Sequence, residues 1–422
     1  MFMLNKNMRY KIAFIILVTI SFYLLNLFNN AFTGQDALTY HMPVACYVYE
    51  HNKFPESIPH DLYYGKFNKP PLLYVYSNAF LKVLNLECNE YNLLLIPAIF
   101  MFATLLLLVL FSELYQKIDL EIFIITTFLS LPFLTLLSVF YQETILLFFS
   151  TIAFTSMYII LEKDNPKPVT FVNLFFSSIF AILSKISGVF VGLLASYVLI
   201  RSRNKFYGEL FITIVECFTF VFFIVKYNIL YNLFVNITYL YAFVGFIFMF
   251  LIFVLKKYDD FEKPLIWNIL IFIGILLLSS SIRYVVVFYP FAFVIMMKYL
   301  QKMYINAGKP KFVKTFAVVI LMFFGLNPFI NAYNPQLKYL PVVNCIKDTN
   351  LDFINSTILV DEDFGFGWYH HINLYKINDM NIDDGYEYII LTHMNGTRLP
   401  EIPDNYKLVL NNTCMEVYKL VK

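Results

Sequence analysis

Leu72-Leu73-Tyr74-Val75-Tyr76-Ser77-Asn78-Ala79-Phe80-Leu81-Lys82-Val83-Leu84-Asn85-Leu86 is the stretch on which the topology of this 422-residue chain turns. It is apolar but short, it opens straight after Pro70-Pro71, and it carries Asn78 and Lys82. A hydrocarbon core about 30 Å thick needs about 20 apolar residues at 1.5 Å each, so the segment reads either as a span or as a helix lying in the interface.

Charge on either side separates the two readings. If the segment does not cross, Lys117, Lys163, Lys167, Arg201, Arg203, Lys205, Lys256, Lys257, Lys263 and the basic stretch from Lys298 to Lys314 all fall on the side of Lys6 and Arg9. Every later short loop then obeys the positive-inside rule. The first outer loop does carry Lys53, Lys66, Lys69 and Lys82, but long loops translocate largely regardless of charge. If the segment crosses, the later loops invert and the basic clusters face outward. The interfacial reading therefore stands, with a cytoplasmic N-terminus and an outside C-terminus. It also brings Asp36, Lys69, Tyr141-Gln142-Glu143, Lys185 and Arg283 to one outer face, a convergence that played no part in the choice.

The rest of the chain fits this frame. Hydrophobic residues make up 59% and charged residues 14%, with mean hydropathy +0.66, which excludes an ordinary soluble domain. Spans are expected at roughly 12–30, 93–113, 120–139, 143–161, 168–184, 186–200, 208–226, 231–255, 264–281, 284–300 and 313–332, about eleven in all. The apolar runs do not alternate, so they imply helices rather than barrel strands. The net charge of +2 gives no footprint for nucleic acid, because the basic residues lie mostly in short inter-helix loops. Lys6, Arg9 and Lys11 precede an apolar run too long for a cleaved signal.

After Asn331 polar residues and turn formers take over. Short runs at Ser356–Val360, Tyr386–Leu391 and Tyr406–Leu410 suggest strands. The expected organisation is a transmembrane domain over 1–333 and a small extracytoplasmic α/β domain over 334–422. Cys46, Cys88 and Cys217 show no metal-ligand spacing and read as ordinary apolar or interfacial residues. Cys345 and Cys414 flank the C-terminal part on the oxidising side, where a disulfide is open to them.

In the loop Gly34-Gln35-Asp36-Ala37-Leu38-Thr39-Tyr40-His41-Met42-Pro43, a carboxylate stands at the edge of the bilayer, where charge is expensive and usually functional. The order Asp36-x-x-x-Tyr40-His41-x-Pro43, then Phe54-Pro55, then Lys69-Pro70-Pro71-Leu72-Leu73-Tyr74, resembles the membrane glycosyltransferases of the C-type superfamily. Within that superfamily the order looks like that of the aminoarabinose-transferase and dolichyl-phosphate-mannose mannosyltransferase-like group. Tyr141-Gln142-Glu143, Ser184-Lys185-Ile186-Ser187-Gly188, Arg283-Tyr284 and Tyr289-Pro290 add to it by order and spacing, over roughly residues 10–300. Many relatives carry Asp where this chain has Glu143. The resemblance implies a polyprenyl-phosphate sugar as donor and a catalytic carboxylate in the first outer loop.

Transfer from such a donor needs a base for the acceptor hydroxyl and cations for the departing phosphate. Asp36 suits the first task, and Lys69 and Arg283 suit the second. Tyr40, four residues past Asp36 on a helix starting there, shares its face and can orient the carboxylate or the sugar. Glu143 reads as a second catalytic or acceptor-binding carboxylate, or as a metal ligand with Asp36. A divalent metal ion is thus the cofactor the sequence leaves open. His41 and Lys185 complete the candidate substrate-binding set. His41 has no partner His at ligand spacing and suits a structural place better than a metal. The alternatives are plain ones: Asp36 and Glu143 as helix caps, and Lys69, Lys185 and Arg283 as charges at helix ends. Tyr63, Tyr64 and Tyr74 are available to stack on a sugar.

These readings converge on an integral-membrane, multi-pass, inverting glycosyltransferase with its site on the extracytoplasmic face. Its partners would be the lipid-phosphate sugar, a lipid, glycan or protein acceptor, and membrane lipids. A polytopic transporter or lipid flippase is the rival, and it calls for two related halves and charges near span centres. Here the charges gather at one face.

Overall fold

The structure, a computed structural model, describes residues 6–29, 37–59, 67, 69–130, 134, 137–162, 166–201, 289–308, 345–346, 353, 356–361, 367, 370, 374–376, 385–392, 402–412 and 415–421. The spans expected at 208–226, 231–255, 264–281 and 313–332 lie outside the described residues, as do Asp36, Tyr63, Tyr64 and Arg283. The described helices are α1 (Lys6–Asn29), α2 (Met42–His51), α3 (Leu72–Val83), α4 (Glu90–Phe111), α5 (Leu120–Leu129), α6 (Gln142–Glu162), α7 (Pro168–Ser184), α8 (Val189–Arg201) and α9 (Tyr289–Ala307).

Among the described residues, α1, α4 and α6 are long and apolar enough to cross a membrane, and α7 is a shorter apolar helix. On α7, Val169, Val172, Phe176 and Leu183 are exposed at helical spacing, a face suited to hydrocarbon. The stretch expected to lie in the interface is α3, whose 12 residues reach only about 18 Å at 1.5 Å each. Leu72, Leu73, Tyr74, Ser77 and Leu81 are buried on one side of it, while Val75, Lys82 and Val83 are exposed. Of the run expected to span 120–139, α5 covers Leu120–Leu129 with Ser130 as its C-cap, and residues 131–133 and 135–136 lie outside the described residues.

The chain forms two compact units, one of Met1–Thr19, Ile99–Leu137 and Gln142–Phe323, the other of Ile20–Ala98, Ser138–Tyr141 and Phe324–Lys422. In the first, α6 and α7 pack along each other, α8 packs on both, and α9 packs on α5 and α6. Phe149 meets Phe180 at 5.0 Å and Phe123 meets Phe293 at 5.8 Å between ring centroids. Lys11, expected as a charge flanking the first span, is instead fully buried. Its ammonium donates to Glu113 Oε1 and to the Ile118 carbonyl, both at 2.6 Å, and lies 5.6 Å from the Phe123 ring centroid. Asn7 Nδ2 donates to the same two acceptors at 2.8 and 3.0 Å. Glu113 stands in a π-helical turn, Ser112–Gln116, closed by Lys117 in a left-handed conformation at φ 48°. Such wide turns keep carbonyls and side chains clear of the regular ladder. Beyond the turn, Gln301 of α9 pairs reciprocally with Asp119, both bonds at 3.0 Å, so the polar clasp ties α1, the α4–α5 turn and α9.

In the second unit α2 packs against α3. Pro43 sits in the first turn of α2, where a missing N–H costs nothing, and Asn52 closes it in the left-handed conformation at φ 54°. A disulfide joins Cys46 of α2 to Cys88 ahead of α4, with Cα atoms 5.4 Å apart. This corrects the reading of Cys46 and Cys88 as ordinary residues: the sequence separation of 42 hid an approach that the α2–α3 packing creates. Lys82 also bonds the Asn52 side chain, fastening the ends of α3 and α2. Cys345 is disulfide-bonded too, while Cys217 and Cys414 lie outside the described residues.

The C-terminal part carries β1 (Ile358–Val360), β2 (Leu374–Lys376), β3 (Tyr388–Thr392), β4 (Tyr406–Asn411) and β5 (Met415–Leu420) in one sheet of order β2-β1-β3-β5-β4. β1 runs parallel to β2 and β3, and β5 runs antiparallel to β3 and β4. β1, β3 and β4 fall on the three runs singled out in the sequence. Leu359, Ile389, Leu391 and Tyr406 form the buried cluster. Asp361, at the end of β1, accepts the Thr392 N–H and hydroxyl at 2.8–3.0 Å, closing the end of the parallel pair.

Candidate active site

Two groups of the expected site residues are described, one in each unit. The first is built on the segment after Asp36. Ala37–His41 forms a π-helical turn, buried at every residue, that leads into α2. The expected α-helical register through Tyr40 is therefore widened to a π turn. His41 Nδ1 is hydrogen-bonded to Tyr74 Oη at 2.8 Å. Its ring lies 6.0 Å from that of Tyr74 at 29°, and 5.6 Å from that of Tyr141 at 70°. Tyr40 meets His41 edge-on at 5.2 Å, and the exposed Lys69 holds its ammonium 5.2 Å from the Tyr40 ring centroid. Phe67 stacks on Phe54 at 5.6 Å and 10°, and packs edge-on to Tyr74 at 5.5 Å.

Local sequence explains the placement. Pro71 caps α3 and its carbonyl accepts from both Tyr74 and Val75 N–H at 3.1 Å, which fixes Tyr74 in the first turn. Tyr74 is wholly buried, so it is not a sugar platform. Burial, with neighbouring Tyr40 adding to it, holds its phenol well above the ordinary range. Tyr74 therefore keeps its proton at working pH. Lys69 stands just ahead of the Pro70-Pro71 corner with its charge on an aromatic face, an arrangement worth about 0.5–1 kcal/mol at an exposed site. Because Lys69 is exposed, its ammonium is accessible to an anion.

The second group is Glu143 and Lys185. Glu143 occupies the first turn of α6, where the helix dipole favours a carboxylate. Lys185 stands where α7 stops, its backbone extended at φ −158° and ψ 148°. The ammonium meets Glu143 Oε1 at 2.5 Å, with side-chain exposures of 15% and 3%. The turn behind Lys185 depends on Gly188. The Gly188 N–H donates to the Lys185 carbonyl at 2.8 Å and the Lys185 N–H to Ala181 O at 3.2 Å. A Cβ on Gly188 would strike the Ala181 carbonyl. Thr144, beside Glu143, donates to Leu137 O at 3.1 Å.

Asp36, the expected partner of Glu143 around a metal, lies outside the described residues. Among the described residues no three His, Cys, Asp or Glu side chains gather as a metal site. The sequence did not mark Tyr74 as the hydrogen-bond partner of His41, nor Phe67 as part of the ring cluster. The one signal for Tyr74 was its fixed offset from Pro70-Pro71.

No family model matches the sequence, and no curated protein matches it either. The backbone does find relatives. ArnT from Cupriavidus metallidurans bound to undecaprenyl phosphate superposes with TM-score 0.59 at 11% identity, over 96% of this chain and 97% of that one. This chain has the fold of the C-type membrane glycosyltransferases. The apo state of the same ArnT gives TM-score 0.57 at 11% identity with the same coverage. The Archaeoglobus fulgidus oligosaccharyltransferase, in complex with Zn and sulfate, gives 0.52 at 13% identity, over 90% of this chain and 68% of that one. The chain is a polytopic membrane protein.

Proposed function

We propose that this protein is an inverting glycosyltransferase that moves a monosaccharide from a polyprenyl-phosphate carrier to an acceptor on the extracytoplasmic side. The observation that carries the reading is the backbone likeness, over 96% of the chain, to an ArnT structure bound to undecaprenyl phosphate. It supports a lipid-phosphate donor and weighs against a transporter. The Cys46–Cys88 disulfide supports the sidedness, because such bridges persist in oxidising compartments.

In the reaction the acceptor oxygen attacks the anomeric carbon and gives its proton to the Asp36 carboxylate. The bond from that carbon to the phosphate oxygen breaks, and the polyprenyl phosphate leaves with the bonding pair. One displacement inverts the anomeric centre. Lys69 and Arg283 neutralise the phosphate as its charge grows. Tyr40, flanked by Lys69, borders the sugar. Glu143 with Lys185 forms a charged pair that binds the acceptor hydroxyls, and a carboxylate already held by an ammonium favours that role over metal ligation.

Membranes carrying the protein, given radiolabelled polyprenyl-phosphate sugars, should consume one of them and label an acceptor. Asp36→Asn keeps the size and the capping ability of the side chain, so the protein should insert normally while turnover falls about 10²–10⁴-fold. Near wild-type transfer by that variant would leave Asp36 as a cap. Lys69→Ala should weaken binding of the lipid phosphate as well as the rate.

A further inference from the structure

We propose that His41 acts as a positioning residue, its imidazole tied to Tyr74 so that the turn Ala37–His41 holds Tyr40 in working order. The inference rests on the transferase reading above and names a role that the chemistry alone does not assign.

The turn is π-helical, a rare conformation that appears mostly as single turns and often at functional sites, and it is fastened from outside. Its last residue supplies the fastening. His41 is 8% exposed and is wedged among Tyr40, Tyr74 and Tyr141, rings from the turn itself, from α3 and from the Val139–Tyr141 segment. The hydrogen bond to Tyr74 Oη at 2.8 Å spans 33 residues, so it fixes the turn to a separate element rather than to its own helix. Tyr74 is itself clamped by the Pro71 corner and by Phe54 and Phe67. Cys46, just over one helical turn beyond His41, is bonded to Cys88, which holds α2 from its other side. The turn is thus anchored at a point one residue from Tyr40. A residue that holds such a frame affects the rate more than the affinity, because reactive geometry is lost before binding is.

Five variants in the membrane protein test this, three single and two double. Tyr74→Phe removes one oxygen and leaves the buried ring. It should lower kcat about 10- to 100-fold with the donor KM within about twofold. His41→Asn places an amide near the position of Nδ1 and should retain more activity than His41→Leu. In the Tyr74→Phe background the gap between His41→Asn and His41→Leu should narrow, because the Tyr74 bond in which they differ is already gone. A Tyr74→Phe enzyme within about twofold of wild-type kcat overturns the proposal, as does a loss carried by KM alone. If the wild type consumes no polyprenyl-phosphate sugar, the functional reading fails separately. The coupling is then decided by melting temperatures of the same variants: non-additive shifts keep the His41–Tyr74 fastening, and additive shifts remove it.

Discussion

Replacing Lys185 by Met would leave the Glu143 carboxylate buried beside a methyl group. The two charges meet at 2.5 Å with Glu143 3% exposed. At an effective dielectric near 20, that contact corresponds to roughly 6–7 kcal/mol of attraction. Desolvation takes back several kcal/mol per ion, so the intact pair is close to neutral for stability. Removing one member is different, since the remaining charge keeps its desolvation cost and loses the attraction, about 3–5 kcal/mol in all. Lys185→Met and Glu143→Gln alone should therefore each be strongly destabilised, Lys185→Met the more because it strands an anion. The double variant should recover most of the loss. Reversible unfolding in mixed detergent micelles measures stability, and turnover with the lipid-phosphate donor measures function in the same four proteins. The recovered double variant should still be inactive, since both groups belong to the proposed site. A Lys185→Met protein within about 0.5 kcal/mol of wild type, or a double variant whose losses simply add, would refute a buried, coupled pair.

Gly188→Ala should destabilise by about 1–3 kcal/mol through overpacking against the Ala181 carbonyl; turnover should fall with it because the turn carrying Lys185 must shift. Melting temperature and rate in the same preparation check both. Cys46→Ser, or reductant on the wild type, opens a bridge with a sequence separation of 42 and should cost about 4 kcal/mol, read as a lowered melting temperature that reoxidation restores. Lys11→Met should lose about 3–5 kcal/mol by stranding Glu113, whereas Glu113→Gln with Lys11→Met should recover much of it, again by unfolding in micelles.

The legible parts of the molecule are those written in local composition. Apolar runs marked α1, α4, α6 and α7, because a span must satisfy its own backbone and so advertises itself by length. The place of α3 came from charge on loops far away, and its 12-residue length agrees with an interfacial helix. Tyr40 and Lys69 were legible as a motif, and the structure sets the Lys69 charge on the Tyr40 ring. Glu143 and Lys185 were each placed at helix ends, but nothing local joined them, since their contact spans 42 residues. Asp36 and Arg283 stay with the motif alone.

The misreadings share one physical cause: a side chain's neighbours across the fold decide its state, and those neighbours are far off in sequence. Lys11 read as a charge at the mouth of a span because its carboxylate partner stands 102 residues away in a turn that looks, locally, like any other loop. The bond that holds His41 was hidden in the same way, because the Tyr74 hydroxyl comes from a different helix. The cysteines differ, because there the premise was already available. A bridge between Cys345 and Cys414 was raised on the ground that both flank a segment on the oxidising side. Cys46 and Cys88 satisfy the same condition, since they bracket the part of the first outer loop that holds Lys69-Pro70-Pro71 and α3. Two cysteines that bracket one loop are therefore a stronger signal than metal-ligand spacing in a chain of this kind, and the bridge they form covalently closes the loop that carries Lys69, the lysine proposed to meet the phosphate.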